Sequence, residues 1–150
     1  METTPQPPAL AQPLSPSDER TWAMLAHLSV LLNLATGFFG PIAALIIYFV
    51  YKDRSRYVAY QSMQAFVFQL IWWVGGGLLI AGIWGATGLL SVVIIGLLCI
   101  PFSLIATFIL LIMPLVSLVY GVVGGIQASQ GQDFRYWLVG DWVRGILTIE

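Results

Sequence analysis

Two long tracts without a formal charge, 21–51 and 57–132, constrain this chain more than any other feature. They contain 31 and 76 residues, and a helix needs roughly 20 apolar residues to cross about 30 Å of hydrocarbon. Charged residues make up 9% of the sequence, whereas about 25% is usual in a soluble domain. Because so few charges cannot cover a water-facing surface, the tracts predict a membrane protein.

The charge balance and the reactive residues exclude several classes of function. Six Lys and Arg against seven Asp and Glu give a net charge of −1, so the chain has no basic field with which to bind nucleic acid. His27 and Cys99 are the single residues of their types, and a metal site needs three or four ligands. The sequence also contains no Gly-rich phosphate loop and no Ser/His/Asp set. We therefore predict no enzyme activity, no cofactor and no metal partner.

The N-terminal region is rich in proline and precedes a clear helix start. Five of the eight prolines lie in 1–16, which we interpret as a disordered tail. Ser15 is suited to cap a helix, Pro16 to occupy its first position, and Asp18 to complete the capping pattern three residues after the serine. A membrane domain is therefore expected to begin at about residue 17 and to extend to residue 132.

The first uncharged tract predicts a short helical hairpin over 17–51. Its first arm runs to about Thr36, Gly37 and Gly40–Pro41 interrupt it, and its second arm covers 42–51. Arms of about 15 residues at 1.5 Å each reach only about 22 Å, so they either thin the bilayer or insert without crossing it fully.

The second tract predicts two full crossings, roughly 58–84 and 103–129. If all six Lys and Arg lie on the cytoplasmic side, the number of crossings between the second and third charge clusters is even. The stretch 86–101 then forms an extra apolar helix, on the far side or inside the bundle. Pro101 and Pro114 are each expected to kink or end a helix.

The last segment, 133–150, differs from the rest of the chain. It mixes charged residues with tyrosine, phenylalanine and tryptophan, a composition typical of the lipid headgroup layer. We interpret it as an amphipathic interfacial element. If it is helical, Asp141 and Arg144 are spaced to form an ion pair.

Small residues recur every four positions on two of the predicted helices. Such ridges allow helices to approach closely in lipid. We predict that the helix of the first long crossing, from about residue 57 to about 85, packs along them against the last crossing helix, with Gln61 and Gln69 bonding across the interface; the alternative is that one ridge forms a homodimer. The ridges consist of Gly77, Ala81 and Gly85 on one helix and Ser117, Gly121 and Gly125 on the other.

Two further features have a structural and a functional interpretation. His27 suits a proton relay or a ligand site, but neither apolar tract contains a carboxylate partner, so a hydrogen-bonded histidine between helices is the favoured interpretation. Lys52, Arg54 and Arg56 form a basic loop. The general excess of Lys and Arg in cytoplasmic loops is sufficient to explain it. The alternative is that this loop binds anionic lipid or a cytoplasmic partner.

Three segments resemble a widespread family of small bacterial and archaeal membrane proteins of unknown function. They are SPSDERTWAMLAHLS (15–29), KDRSRYVAYQSMQA (52–65) and QASQGQDFRYW (127–137). That family is similar to the channel subunit of the chloroplast inner-envelope import translocon. The matching residues of the first segment are Arg20, Thr21, Trp22, Ala23, His27 and Leu28. The resemblance implies an all-helical protein of roughly four spans with both termini cytoplasmic, and a relation to protein translocation.

Together these observations predict an all-α, polytopic transmembrane bundle of about four spans, the first two as a short hairpin, followed by an interfacial segment. Its expected location is the plasma membrane, and its partners are the lipid bilayer and either a second copy of itself or another membrane protein. Three functions stay open: a translocon-like or channel-like component, an accessory or scaffold subunit of a membrane complex, and a transporter of a small neutral solute.

Overall fold

The structure, a computed structural model, describes residues 12–148, and its regular elements are all helices. Residues 1–11, which contain most of the predicted proline-rich tail, and residues 149–150 lie outside the described range. A 3₁₀ turn joins the first two helices and a π-helical turn joins the fourth and fifth. The helices are α1 (Pro16–Leu28), α2 (Leu32–Thr36), α3 (Phe39–Tyr51), α4 (Arg56–Gln69), α5 (Gly76–Ser91), α6 (Ile95–Leu110), α7 (Ile112–Ser129) and α8 (Val139–Leu147).

The predicted start of α1 is confirmed. Ser15 is the N-cap, its hydroxyl accepts a hydrogen bond from the Asp18 backbone N–H at 3.2 Å, and Pro16 is the first helical residue. The break of the hairpin is at Gly37, whose φ of +86° ends α2. Gly40 and Pro41 do not interrupt the chain, because they lie in the first turn of α3, where proline's missing N–H has no helical partner to lose.

Two long apolar helices dominate the structure. One extends from Arg56 to Ser91 over 36 residues and includes the π-helical turn, and the other extends from Ile95 to Ser129 over 35 and includes the α6–α7 boundary. Only 17% and 11% of their most apolar windows are buried within the protein, whereas the core helix of a soluble protein is mostly buried. The exposed apolar surface therefore indicates that lipid surrounds these helices.

The extra helix predicted over 86–101 is wrong. Its first part ends α5 and its last part begins α6, and the turn between them lies at 92–94. Gly96 allows this tight turn, because a Cβ atom there would collide with the backbone of Ser91 and Thr87. Pro101 lies inside α6 and does not end it.

Pro114 lies near a helix boundary, which agrees better with its prediction than the position of Pro101 does. It is the third residue of α7, and the α6–α7 boundary lies at Leu111, three residues before it. Proline has no N–H with which to bond to the carbonyl four residues earlier, so the helical ladder is weakened at this boundary.

The predicted count of four spans is not confirmed, because two helices are long and apolar enough to cross. α3 has 13 residues, which is about 20 Å of helix against about 30 Å of hydrocarbon, and α1 carries Asp18 and Glu19 in its first turn. The first hairpin instead packs on the charged end of the long helices: α1 contacts α4 and α7, and α3 contacts α4.

The far end of the long helices is a simpler hairpin of α5 against α6. The hydroxyls of Thr87 and Ser103 lie 2.6 Å apart, and the indole N–H of Trp84 donates to the Thr107 hydroxyl at 2.9 Å. Few other groups of this hairpin are buried. The fold thus divides into a packed polar end and a lipid-facing hairpin.

Candidate functional site

His27 lies at the centre of the packed end and is completely buried. Its Nε2 atom is 2.8 Å from Oε1 of Gln61, and its Nδ1 atom is 2.9 Å from the Tyr136 hydroxyl. A carbonyl oxygen only accepts, so Nε2 carries the proton and Nδ1 accepts from tyrosine. This confirms the interpretation of His27 as a hydrogen-bonded histidine between helices.

Two glutamines of α4 connect this histidine to the segment that precedes α8. The side-chain amide of Gln64 donates to Oε1 of Gln61 at 2.6 Å and to the Phe134 carbonyl at 2.7 Å. The amide of Gln61 donates to the carboxylate of Asp133 at 3.3 Å. Both glutamines are fully buried, and each buried polar group that finds a partner avoids a desolvation cost of about 1–3 kcal/mol.

A second buried group of amides links the first hairpin to α4. The amide of Gln69 donates to the Ser29 hydroxyl at 3.0 Å, and the amide of Asn33 donates to Oε1 of Gln69 at 3.3 Å. Oδ1 of Asn33 in turn accepts from the backbone N–H of Gly40 at 2.8 Å. A Cβ atom at Gly40 would collide with both amide side chains, so glycine is needed for this close approach.

Aromatic rings enclose the histidine network. The ring of Tyr136 stacks on Phe68 with centroids 4.2 Å apart, and Phe134 meets the His27 ring edge-on at 5.4 Å. Burial raises the pKa of the Tyr136 hydroxyl well above its ordinary range. The hydroxyl therefore stays protonated and donates to His27.

Asp133 continues the network to the surface through two ion pairs. Arg144 lies 2.5 Å and Arg135 lies 3.6 Å from its carboxylate. The hydrogen bond to Asp133 raises the pKa of Arg144 above its ordinary value, and the guanidinium stacks 4.5 Å above the Tyr60 ring.

The predicted pair of Asp141 with Arg144 is wrong. Asp141 instead contacts Arg135 at 3.2 Å. The reason is the packing of α8 on α4, which directs Arg144 toward Tyr60 and the carboxylate of Asp133. Sequence spacing within α8 gives no information on this contact.

Beside these ion pairs lies an open cavity of about 410 Å³ between the α3–α4 connection and α8. Among its walls are cationic and acidic side chains in nearly equal number. The cationic side chains are Lys52, Arg56 and Arg144, and the acidic side chains are Asp53 and Asp133. The cavity is open, so an external molecule can reach it.

The six residues of the first family segment divide between core and rim. Ala23 and His27 are completely buried, and Trp22 stacks on Tyr51 with centroids 4.6 Å apart. Leu28 lies against Gly125 of α7. The remaining two are Arg20, whose guanidinium lies beside Gly131, and Thr21, whose hydroxyl donates to the Ser17 carbonyl at 3.0 Å.

The small-residue ridge of α7 has a different partner from the predicted one. Ser117, Gly121 and Gly125 are buried, and Cβ atoms at the two glycines would meet Val30 and Leu28 of the first hairpin. Helix α7 therefore packs closely against α1 and not along the α5 ridge.

The second predicted ridge makes no close contact within the described residues. A Cβ atom at Gly77 or Gly85 would meet nothing within 4 Å, and Ala81 is exposed. The predicted packing of the two long crossing helices against each other along both ridges is therefore wrong. The glutamines do bond across an interface, but the interface is with α1 and its 3₁₀ extension. A homodimer along the α5 ridge stays a prediction.

The basic loop does not act as one unit. Lys52 and Arg56 line the cavity, whereas Arg54 stacks on Tyr51 at 5.7 Å and donates to the Gln12 carbonyl at 3.0 Å. Asn33, Gln64 and Tyr136 also belong to the buried networks, although no sequence motif singled them out. For Asn33 and Gln64 the available signal was an amide in an uncharged tract, since a polar side chain there needs a buried partner.

The described part of the chain contains no candidate metal site. Within residues 12–148, no group of three or more His, Cys, Asp and Glu side chains lies close enough to hold a metal ion.

Comparison with known proteins gives one result. The sequence model of a family described as the magnetosome magnetite crystal formation protein family, MamF/MmsF, matches residues 18–143. This range runs from the start of α1 into α8. No curated protein and no solved structure matches the chain. A small membrane-protein family is thus found, while the similarity to the import translocon receives no support.

Proposed function

The chain belongs to the magnetosome magnetite crystal formation protein family, and from this membership we propose that it is a component of the magnetosome membrane that acts in the formation of magnetite crystals. The observation that carries the proposal is the extent of the family match. Residues 18–143 include the buried network, most of the cavity wall and both long helices, so the relation covers most of the packed end and not one helix alone.

The geometry favours a non-enzymatic, scaffolding role in the membrane. His27 and its glutamine partners are buried and bonded to one another, so they are out of reach of a substrate. The apolar faces of α5 and α6 are left to lipid. The charged end with α8 is the part of the protein that can contact other components at the membrane surface.

The chain is proposed to cross the membrane and return to the same side. The Tyr57 hydroxyl, at the start of the first long helix, donates to the Gln132 carbonyl, just after the second, at 2.8 Å. Both charged ends are therefore adjacent. We place them on the cytoplasmic side, because Lys and Arg favour that side, and we prefer the magnetosome membrane to the plasma membrane on the family's description.

A gene deletion in a magnetosome-forming bacterium tests this function. We expect smaller or fewer crystals by electron microscopy, and recovery when the wild-type gene is supplied. A strain that lacks an unrelated small membrane protein is the control. Crystals of unchanged number and dimensions in the deletion strain would contradict the proposal.

Location is tested separately with the same strain. Immunoblots of purified magnetosomes and of plasma membrane are expected to find the restored protein in the magnetosome fraction. Detection in the plasma membrane alone would contradict the proposed location.

A channel, translocon or transporter role is the remaining alternative. The cavity lies at the charged end, beside the basic loop, and not between the two long helices. The alternative therefore lacks a specific observation in its favour. Permeability of vesicles that contain the purified protein would revive it.

A further inference from the structure

The cavity beside the α3–α4 connection carries a net positive charge. Three cationic and two acidic side chains are among its lining residues. Asp133 is already bound to Arg144, so these two charges neutralise each other. Lys52 and Arg56 are exposed, and within residues 12–148 neither forms an ion pair, with Asp53 as the remaining acid of the wall.

The tyrosine hydroxyls of the cavity wall differ in whether they already donate a hydrogen bond within the protein. The Tyr57 and Tyr60 hydroxyls donate away from the cavity, to the carbonyls of Gln132 and Gly140. Tyr48 also lines the cavity, and its hydroxyl makes no hydrogen bond to the described residues. Tyr48 and Lys52 are one turn apart and both line the cavity, while the Lys52 ammonium lies 5.9 Å from the centroid of the Phe49 ring.

The cavity lies at the depth of lipid headgroups. Helix α8, which forms one wall, buries Val139 and Val143 and exposes Trp142 and Ile146. Trp137, just before the helix, is also exposed. Exposed tryptophan on a short amphipathic helix is typical of a helix that lies in the membrane interface, with its apolar face in the acyl boundary.

We propose that this cavity binds a phosphate group, with Lys52 and Arg56 as its charged ligands and the Tyr48 hydroxyl as a further donor, and that the phosphate belongs to an anionic phospholipid. Ammonium and guanidinium groups form strong charge-assisted hydrogen bonds with phosphate. The interfacial position of α8 brings lipid headgroups to the cavity mouth. This inference is independent of the role in crystal formation, so either one can fail without the other.

The test uses the purified full chain in neutral detergent. Binding of short-chain phosphatidylglycerol is measured by tryptophan fluorescence, with phosphatidylcholine and inorganic phosphate titrated in parallel. The double variant Lys52→Gln/Arg56→Gln removes the two ligands. Arg54→Gln is the control, since it removes one positive charge from the same loop but not from the cavity wall, and it matches the single variant Lys52→Gln in charge.

We expect the double variant to bind phosphatidylglycerol about tenfold more weakly and Arg54→Gln to change the affinity less than about twofold. Inorganic phosphate is expected to compete with the lipid, and phosphatidylcholine to bind more weakly. Circular dichroism verifies that each variant folds. If the double variant fails to fold, the single variant Lys52→Gln replaces it in the test, with an expected loss of lipid affinity of about threefold.

Four outcomes would overturn the proposal. One is an equal loss in Arg54→Gln, which would reveal general surface charge. Another is equal affinity for phosphatidylcholine and phosphatidylglycerol, or no effect of the variants. Binding of inorganic phosphate without binding of phosphatidylglycerol would overturn the lipid as its source.

Discussion

The Nε2 atom of His27 donates to Oε1 of Gln61 across 2.8 Å, and this bond joins α1 to α4 in the buried centre of the packed end. Replacement by alanine leaves the carbonyl of Gln61 and the hydroxyl of Tyr136 with one partner fewer. We expect His27→Ala to lower the free energy of unfolding by about 2 kcal/mol, because a buried polar group without a partner costs about 1–3 kcal/mol. Thermal melting in detergent, followed by circular dichroism, measures this.

Leu25→Ala is the control for that experiment, since Leu25 lies on the same helix but is 40% exposed. Equal destabilisation by the two substitutions would mean that the hydrogen bonds of His27 add nothing to its packing.

Gly121 and Gly85 provide a matched pair for the packing of the long helices. A Cβ atom at Gly121 would lie 2.5 Å from Cγ1 of Val30, whereas one at Gly85 would meet nothing within 4 Å. Gly121→Leu is therefore expected to lower the melting temperature by several degrees, because overpacking costs about 1–3 kcal/mol. Gly85→Leu is expected to leave it nearly unchanged.

The same pair tests the alternative of a homodimer along the α5 ridge. Size-exclusion chromatography of Gly85→Leu shows whether a dimer is lost. A similar melting temperature for both leucine variants would contradict the assignment of Gly121 to the α1–α7 interface.

The sequence predicts local and compositional features of this fold better than contacts. The cap at Ser15 and the end at Gly37 depend on neighbouring residues, so they are readable from the chain. The partner of a ridge depends on which helices meet, and both ridges have the same spacing in sequence. That is why the α7 ridge was predicted to pack on the wrong helix.

The candidate site shows the same limit. His27 was recognisable as a polar residue in an uncharged tract that needs a partner. Its partner Tyr136 lies 109 positions away, beyond the reach of any local spacing rule. The turn at 92–94 was missed because proline at 101 is a stronger local signal than Gly96, although proline is tolerated in membrane helices.

Asp133 is expected to contribute a small, salt-dependent stabilisation. Its pairs with Arg144 and Arg135 are between side chains that are 37–51% exposed, so solvent screens them. We expect Asp133→Asn to lower the free energy of unfolding by up to about 1 kcal/mol at low salt. The effect should shrink at high salt, since the Debye length falls to about 3 Å at 1 M.

Asp141→Asn is the comparison, because the side chain of Asp141 is 83% exposed and should matter less. Denaturation at two salt concentrations measures both variants. A loss for Asp133→Asn that does not depend on salt would contradict an origin in the ion pairs.

If the two long helices cross the bilayer, their two ends are exposed on opposite sides of the membrane. Val93 lies in the α5–α6 turn, whereas Gln130 follows α7 and Asp53 lies in the basic loop; all three are exposed. With Cys99 replaced by serine, single cysteines at these positions are labelled by a maleimide that cannot cross membranes, first in intact purified magnetosomes, where it reaches the cytoplasmic side, and then after detergent opens the membrane. We expect Val93→Cys to label from one side and both Gln130→Cys and Asp53→Cys from the other, because an even number of crossings separates Asp53 from Gln130. Labelling of all three from one side would mean that the long hairpin does not cross, and the apolar surface of α5 and α6 would then need a different cover than lipid.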